Sequence, residues 1–91
     1  MVGLARRRHD VASQRAREPE SESERLALLT ERELEVLVEM AENHTNPEIA
    51  ELLVISLDTV KTHVKRIFEK LGVSDRGEAA RIYRAEITRN G

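Results

Sequence analysis

Residues 26–91 are divided into four short segments by residues that start and stop helices. Thr30 and Glu33 have the spacing of a capping box, in which each side chain accepts a hydrogen bond from the other residue's backbone N–H. Pro47 suits the first turn of a helix, and Gly72 suits the left-handed position that follows a helix. Apolar residues recur at helical spacing between these signals, and no segment alternates as a strand does. The sequence therefore predicts a small all-α domain.

The four predicted helices span residues 31–42, 47–53, 57–71 and 76–88. The first two carry the following apolar residues: Leu34, Leu37, Val38 and Ala41, flanked by Val36 and Met40, and then Ile49, Ala50, Leu52 and Leu53. Either Thr45 or Asn46 precedes the second helix as its N-cap, and the bias of a residue before proline away from the α region favours Asn46. Residues 54–56 connect the second helix to the third, for which Ser56 is the predicted N-cap.

Residues 1–25 differ in composition from the rest and are predicted to be a flexible N-terminal segment or linker. They contain six arginines and five acids with few apolar residues. Pro19 interrupts any helix there, and residues 21–24 have the composition of a solvated linker. We therefore place the folded domain at residues 26–91.

The composition of the 91-residue chain excludes several classes of protein. It has no cysteine, which removes disulfides, thiolate metal sites and a cysteine nucleophile. No apolar run approaches the roughly 20 residues that span a membrane. The arginines at positions 6–8 are not followed by the apolar stretch of a secretory signal. We therefore expect a cytoplasmic protein with no membrane partner.

The charged residues are unevenly distributed, although the formal net charge is only −2. The first two predicted helices are rich in glutamate, whereas the third carries the bases Lys61, Lys65, Arg66 and Lys70 together with His63. A local basic face is more informative about binding to a polyanion than the total charge is.

The third predicted helix has one apolar and one basic side. Val60, Val64, Ile67 and Leu71 form the apolar stripe, and Lys61 and Lys65 lie four residues apart on another side. An α-helix fits the major groove of B-DNA, where lysine can donate to guanine O6 and N7. A solvated surface is the alternative interpretation of such a face. The short connection to the preceding helix and the scarcity of acids on this helix favour DNA binding through a helix-turn-helix.

Four segments of the sequence together resemble a known family. They are residues 29–37 (LTERELEVL), 46–50 (NPEIA), 56–64 (SLDTVKTHV) and 70–73 (KLGV). In this order and spacing they resemble the LuxR-type (GerE/FixJ-like) helix-turn-helix effector domain of bacterial transcription regulators. The resemblance covers about residues 28–87. Asn43 or His44 stands where the family usually has glycine, and asparagine also tolerates the left-handed conformation.

The resemblance implies a four-helix domain without a wing, which binds double-stranded DNA with its third helix in the major groove. The residues at the family's base-reading positions are Lys61, Thr62 and Lys65. Those at or near its phosphate-binding positions are Thr45, Asn46, Ser56, Thr59, His63, Arg66 and Lys70. The family commonly pairs two copies through the fourth helix, which implies a weak homodimer whose seam is formed by Ala80, Tyr83 and Ile87. No cofactor is implied.

The sequence also allows functions other than DNA-dependent regulation. The glutamates of the first helix, at positions 31, 33, 35, 39 and 42, form either a solvated face or a docking surface for RNA polymerase or a partner domain. A helical protein-interaction module is therefore the main alternative, and a promoter-reading sigma-factor module would need polymerase-binding regions that are not recognisable here. We expect no enzyme, because there is no catalytic Ser/His/Asp pattern and no Gly-rich phosphate loop. His9, His44 and His63 lack the spacing of a metal site.

Overall fold

A computed structural model of the protein describes residues 21–90, which form five α-helices and no strand. The helices are α1 (Glu22–Leu26), α2 (Glu31–Ala41), α3 (Asn46–Leu53), α4 (Leu57–Leu71) and α5 (Arg76–Asn90). The all-α prediction is confirmed, and α2 to α5 correspond to the four predicted helices. None of the helices in this part of the chain combines the length and the apolar character that a membrane span requires. The prediction of a flexible segment at residues 1–20 lies outside the described residues.

The helix α1 was not predicted. It begins with a capping box between Ser21 and Glu24, in residues that the sequence analysis assigned to a linker. It buries none of its own residues, and contacts with α4 and α5 hold it in place. Arg81 donates to Glu22 over 2.9 Å, and Ser23 donates to Glu86 over 2.6 Å. Such a short helix is unstable alone, so distant partners decide whether it forms.

The predicted helix starts are confirmed for α2 and α4 and corrected for α3. Thr30 and Glu33 exchange capping-box bonds of 3.0 and 3.1 Å, and Ser56 accepts from the N–H of Thr59 over 3.1 Å. The N-cap of α3 is Thr45, so the prediction of Asn46 is wrong. Thr45 and Glu48 form a third capping box, whose two hydrogen bonds outweigh the bias of a residue before proline. The hydrogen bond from the Thr45 backbone N–H is the main cause that lowers the pKa of the Glu48 carboxyl, and His44 lowers this pKa further.

The core lies between α2, α4 and α5, with α3 packed against α4. It contains ten buried apolar residues: Val36, Leu37, Met40, Ile49, Val60, Val64, Ile67, Leu71, Ala79 and Ile82. The predicted inner stripe of α4 is confirmed in full. Leu34 and Leu52, which the sequence analysis placed on apolar faces, are 39% and 53% exposed. The apolar residues of α2 extend around more than one side, and packing against α4 and α5 selects the side with Val36, Leu37 and Met40.

A residue in the left-handed backbone conformation follows each of the helices α2, α3 and α4. Gly72 has φ 71°, as predicted, and Asn43, one of the two residues that stand where the family usually has glycine, has φ 70°. Val54, between α3 and α4, has φ 58° and ψ 50°, which the sequence analysis did not anticipate. A β-branched residue is strained in this conformation. Its side chain is 88% exposed, so packing does not compensate for the strain.

We expect Val54→Asn to raise the free energy of unfolding by about 1 kcal/mol, because asparagine tolerates the left-handed region that valine disfavours. Urea denaturation of the two proteins measures the difference. Val54→Ala is the control: it removes the β-branch and keeps a Cβ, and we expect a smaller gain. An asparagine variant no more stable than the native chain would show that the turn stores no strain.

Candidate nucleic-acid interface

The side of α4 opposite the core is exposed and mostly polar. Its exposed side chains include Lys61, Thr62, Lys65 and Arg66. The other side of the same helix is buried in the core through four apolar residues. The preceding helix α3 joins it through residues 54–56, which gives the helix-turn-helix connection. All three predicted base-reading residues therefore lie on one accessible helix surface.

The hydroxyl groups at the start of α4 already have partners within the domain. Ser56 Oγ and Thr59 Oγ1 share a hydrogen bond of 2.8 Å, and both residues are exposed. Thr62 Oγ1 donates to the carbonyl of Asp58 over 3.1 Å. These bonds fix the hydroxyl orientations in the free domain, so DNA would have to share or replace them.

An open groove of 410 Å³ connects α4 with the N-terminus of α3. Lys61 and Lys65 line it together with Asn46, and its floor is apolar. The groove brings Asn46, a predicted phosphate contact, next to two predicted base-reading residues. The carboxylate-bearing Glu69 also lines it and reduces its positive charge.

A residue that the sequence analysis did not single out holds Asn46. Arg76, at the start of α5, donates from Nη1 to Asn46 Oδ1 over 2.6 Å. Its Nη2 donates to the backbone carbonyl of His44, also over 2.6 Å. No periodic signal in the sequence could have predicted this contact between residues 30 positions apart.

Lys70, another predicted phosphate contact, forms an ion pair with Glu33. Its Nζ lies 2.7 Å from Glu33 Oε1, and the Glu33 side chain is only 2% exposed. Burial raises the pKa of the Glu33 carboxyl, but hydrogen bonds from Lys70 and the Thr30 N–H, with the charges of Lys70 and His63, lower it overall. Glu33 therefore does not belong to a solvated acidic face of α2, whereas Glu31, Glu35 and Glu42 are exposed.

The two described histidines have different surroundings. His63 is half-buried, and its Nδ1 is buried with no hydrogen-bond partner among residues 21–90. His44 lies within 3.9 Å of carboxylate oxygens of Glu39, Glu42 and Glu48. Ligand atoms of Glu39, Glu42 and His44 lie within 4.8 Å of one another, a proximity that the sequence spacing of the histidines did not indicate. When His44 is protonated, ion pairing accounts for the arrangement.

The three residues assigned to a dimer seam differ in exposure. Ala80 is 4% exposed in the isolated chain, Tyr83 is half-buried against the core, and Ile87 is 49% exposed. Of these side chains, Tyr83 and Ile87 offer accessible surface to a second copy. The homodimer itself stays a prediction.

Within residues 21–90, the short connection between α3 and α4 and the basic outer side of α4 define a helix-turn-helix domain. The model of the bacterial regulatory proteins of the luxR family matches residues 27–83, more than half of the chain. The chain belongs to this family, whose members are DNA-binding transcription regulators and not enzymes.

Curated relatives agree with this assignment. The chain is 58% identical over 52 residues to the transcriptional regulatory protein LiaR of Bacillus subtilis, covering 57% of this chain and 25% of the relative. It is 50% identical over 52 residues to the response regulator protein VraR of Staphylococcus aureus, covering 57% of this chain and 25% of the relative. The chain thus matches about a quarter of the length of these proteins.

Proposed function

We propose that the chain binds double-stranded DNA in a sequence-specific manner through α4 in the major groove, and regulates transcription by doing so. The observation that carries the proposal is the two-sided character of α4. Four apolar residues anchor one side in the core, and Lys61, Thr62 and Lys65 stand exposed on the other. Lysine and threonine side chains on such a helix can reach base edges.

Phosphate binding would come from residues around the reading surface. Asn46 and Arg66 are the best placed, because Asn46 lines the groove with the lysines and Arg66 is exposed on α4. Thr45, Ser56 and Thr59 are exposed and stay predicted phosphate contacts, whereas His63 is half-buried and less accessible to DNA. Lys70 is held by Glu33, so its ammonium contributes to the local potential more than to a direct contact. Phosphate contacts supply affinity and its salt dependence, and base contacts supply sequence choice.

We propose further that two copies pair weakly on DNA through Tyr83 and Ile87 of α5. The exposed Ile87 side chain is the observation that favours a seam there. A two-fold DNA site would then have half-sites centred about 10 base pairs apart, or a multiple of that spacing.

The exposed glutamates of α2 are a candidate docking surface for RNA polymerase. Because bacterial DNA lies in the cytoplasm, this function places the protein there.

Binding-site selection from random duplex DNA at near-physiological salt tests the proposal. We expect the native chain to enrich a defined motif with two-fold symmetry. The selected motif and a scrambled duplex of equal length are then compared by fluorescence anisotropy over a range of salt concentrations. Equal affinity for the two duplexes would leave only nonspecific attraction to the backbone, and would contradict sequence-specific binding. Failure to bind either duplex would favour the protein-interaction module.

A further inference from the structure

We propose that Arg76 is a positioning residue for DNA binding, which orients the side-chain amide of Asn46 so that its NH2 group donates to a phosphate oxygen. The proposal rests on the proposed DNA-binding function and deepens it. It adds to the binding face a residue of α5 that neither the sequence pattern nor the position of α4 would include.

The guanidinium of Arg76 binds two points on either side of the Thr45 cap. Nη1 donates to Asn46 Oδ1 and Nη2 donates to the carbonyl of His44, each over 2.6 Å. A planar guanidinium holds two acceptors in a fixed relative geometry, which a lysine ammonium does not. Arg76 therefore ties the start of α5 to the start of α3.

This contact determines which way the amide of Asn46 faces. A guanidinium has donors and no acceptor, so only the amide oxygen can turn toward it. The nitrogen of the same planar amide then points away from Arg76 and has two N–H donors to satisfy. Among residues 21–90, the hydrogen bond from Arg76 is the one that the Asn46 side chain makes.

The surroundings of Asn46 favour an anionic acceptor for those donors. Asn46 is half-buried and shares its groove with Lys61 and Lys65, whose ammonium groups attract a polyanion. It is also the first residue of α3, where the helix dipole is positive. If α4 occupies the major groove, the phosphate backbone at its edge is the nearest source of acceptor oxygens.

The chain provides a matched control in Arg84. Arg84 also lies on α5, and its Nη2 donates to the backbone carbonyl of Ala41 over 2.6 Å. Replacing it removes the same charge and a hydrogen bond of the same length to the end of α2. Its hydrogen bond goes to Ala41 and not to a residue assigned to DNA, although it lines a cleft with Thr45 and Arg76, so its loss chiefly measures the effects of charge and stability.

The test compares Arg76→Ala, Asn46→Ala, their double variant and Arg84→Ala for affinity to the selected duplex. We expect each of the first two to weaken binding about tenfold, the loss of one hydrogen bond at the upper end of its usual range. The double variant should bind about as well as either single variant, because both remove the same contact. Arg84→Ala should change affinity less than twofold. Arg76→Lys keeps the charge and should still show most of the tenfold loss of affinity.

A second readout locates the contact on the DNA. Neutral methylphosphonates replace the phosphates of the duplex one at a time. We expect one position in each half-site that weakens binding by the native chain and leaves binding by Arg76→Ala and Asn46→Ala unchanged. Urea denaturation of each variant confirms that it is folded under the binding conditions.

Three results would overturn the positioning role. They are equal losses in Arg76→Ala and Arg84→Ala, losses that multiply in the double variant, or full affinity in Arg76→Lys. In each of these cases the native chain still binds its motif, so the proposed function stands. A native chain that selects no motif would instead overturn the proposed function and this inference together.

Discussion

Glu33→Ala is expected to lower the free energy of unfolding by about 3 kcal/mol, a large part of the stability of so small a domain. The substitution removes two interactions at once, the ion pair with Lys70 and the cap on the Thr30 N–H. Loss of one partner of a buried ion pair leaves the other charge uncompensated. The estimate takes the lower end of the usual range because the Lys70 side chain is 32% exposed and remains partly hydrated. Urea denaturation followed by far-UV circular dichroism measures the change.

The matched control for this substitution is Glu35→Ala on the same helix. Glu35 pairs with Arg32 over 2.9 Å, but both side chains are more than two-fifths exposed. An exposed pair contributes little to stability, so we expect a change of at most about 0.5 kcal/mol. Equal losses in the two variants would mean that the burial of Glu33 has no energetic role and that helix propensity explains both.

Acid denaturation provides an independent check of the Glu33 ion pair. Because the pKa of Glu33 is lower in the folded domain than in the unfolded chain, its contribution is fully present above the unfolded pKa. That contribution is lost as the pH falls through the folded pKa. Glu33→Gln cannot ionise, so its stability should fall less steeply over this range than that of the native chain. If the stability of the two proteins falls equally steeply with decreasing pH, Glu33 is not charged in the folded domain.

Local signals in the sequence were sufficient to predict most of the fold. Thr30, Ser56 and Gly72 act through hydrogen bonds and backbone conformations within a few residues, so the sequence around each one contains the whole cause. The inner stripe of α4 was predictable for a similar reason. Its four apolar residues lie on one side of the helix, and the residues between them are mostly polar, which leaves only one side to bury.

The errors occur where more than one local solution exists or where the cause is distant. Leu34 lies on an α2 surface with several apolar residues, and packing against α4 and α5 decides which of them are buried. The helix α1 depends on contacts of Glu22 and Ser23 with residues about 60 positions away. Thr45 and Asn46 each had a valid argument as the cap of α3, and the hydrogen bond that the Thr45 N–H donates to the Glu48 carboxylate decides between them.

The residues of the candidate site also divide into those whose placement has a local cause and those whose placement has a distant one. Exposure of Lys61, Thr62 and Lys65 follows from the period of α4 and was predictable. The ion pair of Lys70 with Glu33 joins residues 37 positions apart, and the hydrogen bond of Arg76 to Asn46 joins residues 30 positions apart. Both join long polar side chains whose positions in sequence carry no periodic signal. The sequence therefore predicts which side chains of α4 are exposed, but not which polar groups of the candidate site are already engaged within the domain.

The double substitution Lys61→Ala/Lys65→Ala is expected to reduce affinity for the selected motif about a hundredfold or more. Each well-placed contact to a base edge contributes about 1–3 kcal/mol to discrimination against a wrong base. Affinity for a scrambled duplex should fall much less, so the ratio between the two duplexes should fall toward one. Fluorescence anisotropy at one fixed salt concentration measures both affinities. Both side chains are exposed, and the free energy of unfolding should change by no more than about 0.5 kcal/mol.

A variant with the same loss of charge separates base reading from general attraction. Arg32→Ala/Arg81→Ala also removes two exposed cations, one on α2 and one on α5, each of which is paired with a glutamate. If the lysines read bases, this variant keeps the motif preference and loses only a little affinity for every duplex. If both double variants weaken binding equally on both duplexes, Lys61 and Lys65 act as diffuse positive charge. Sequence choice would then have to come from other residues or from the shape of the DNA.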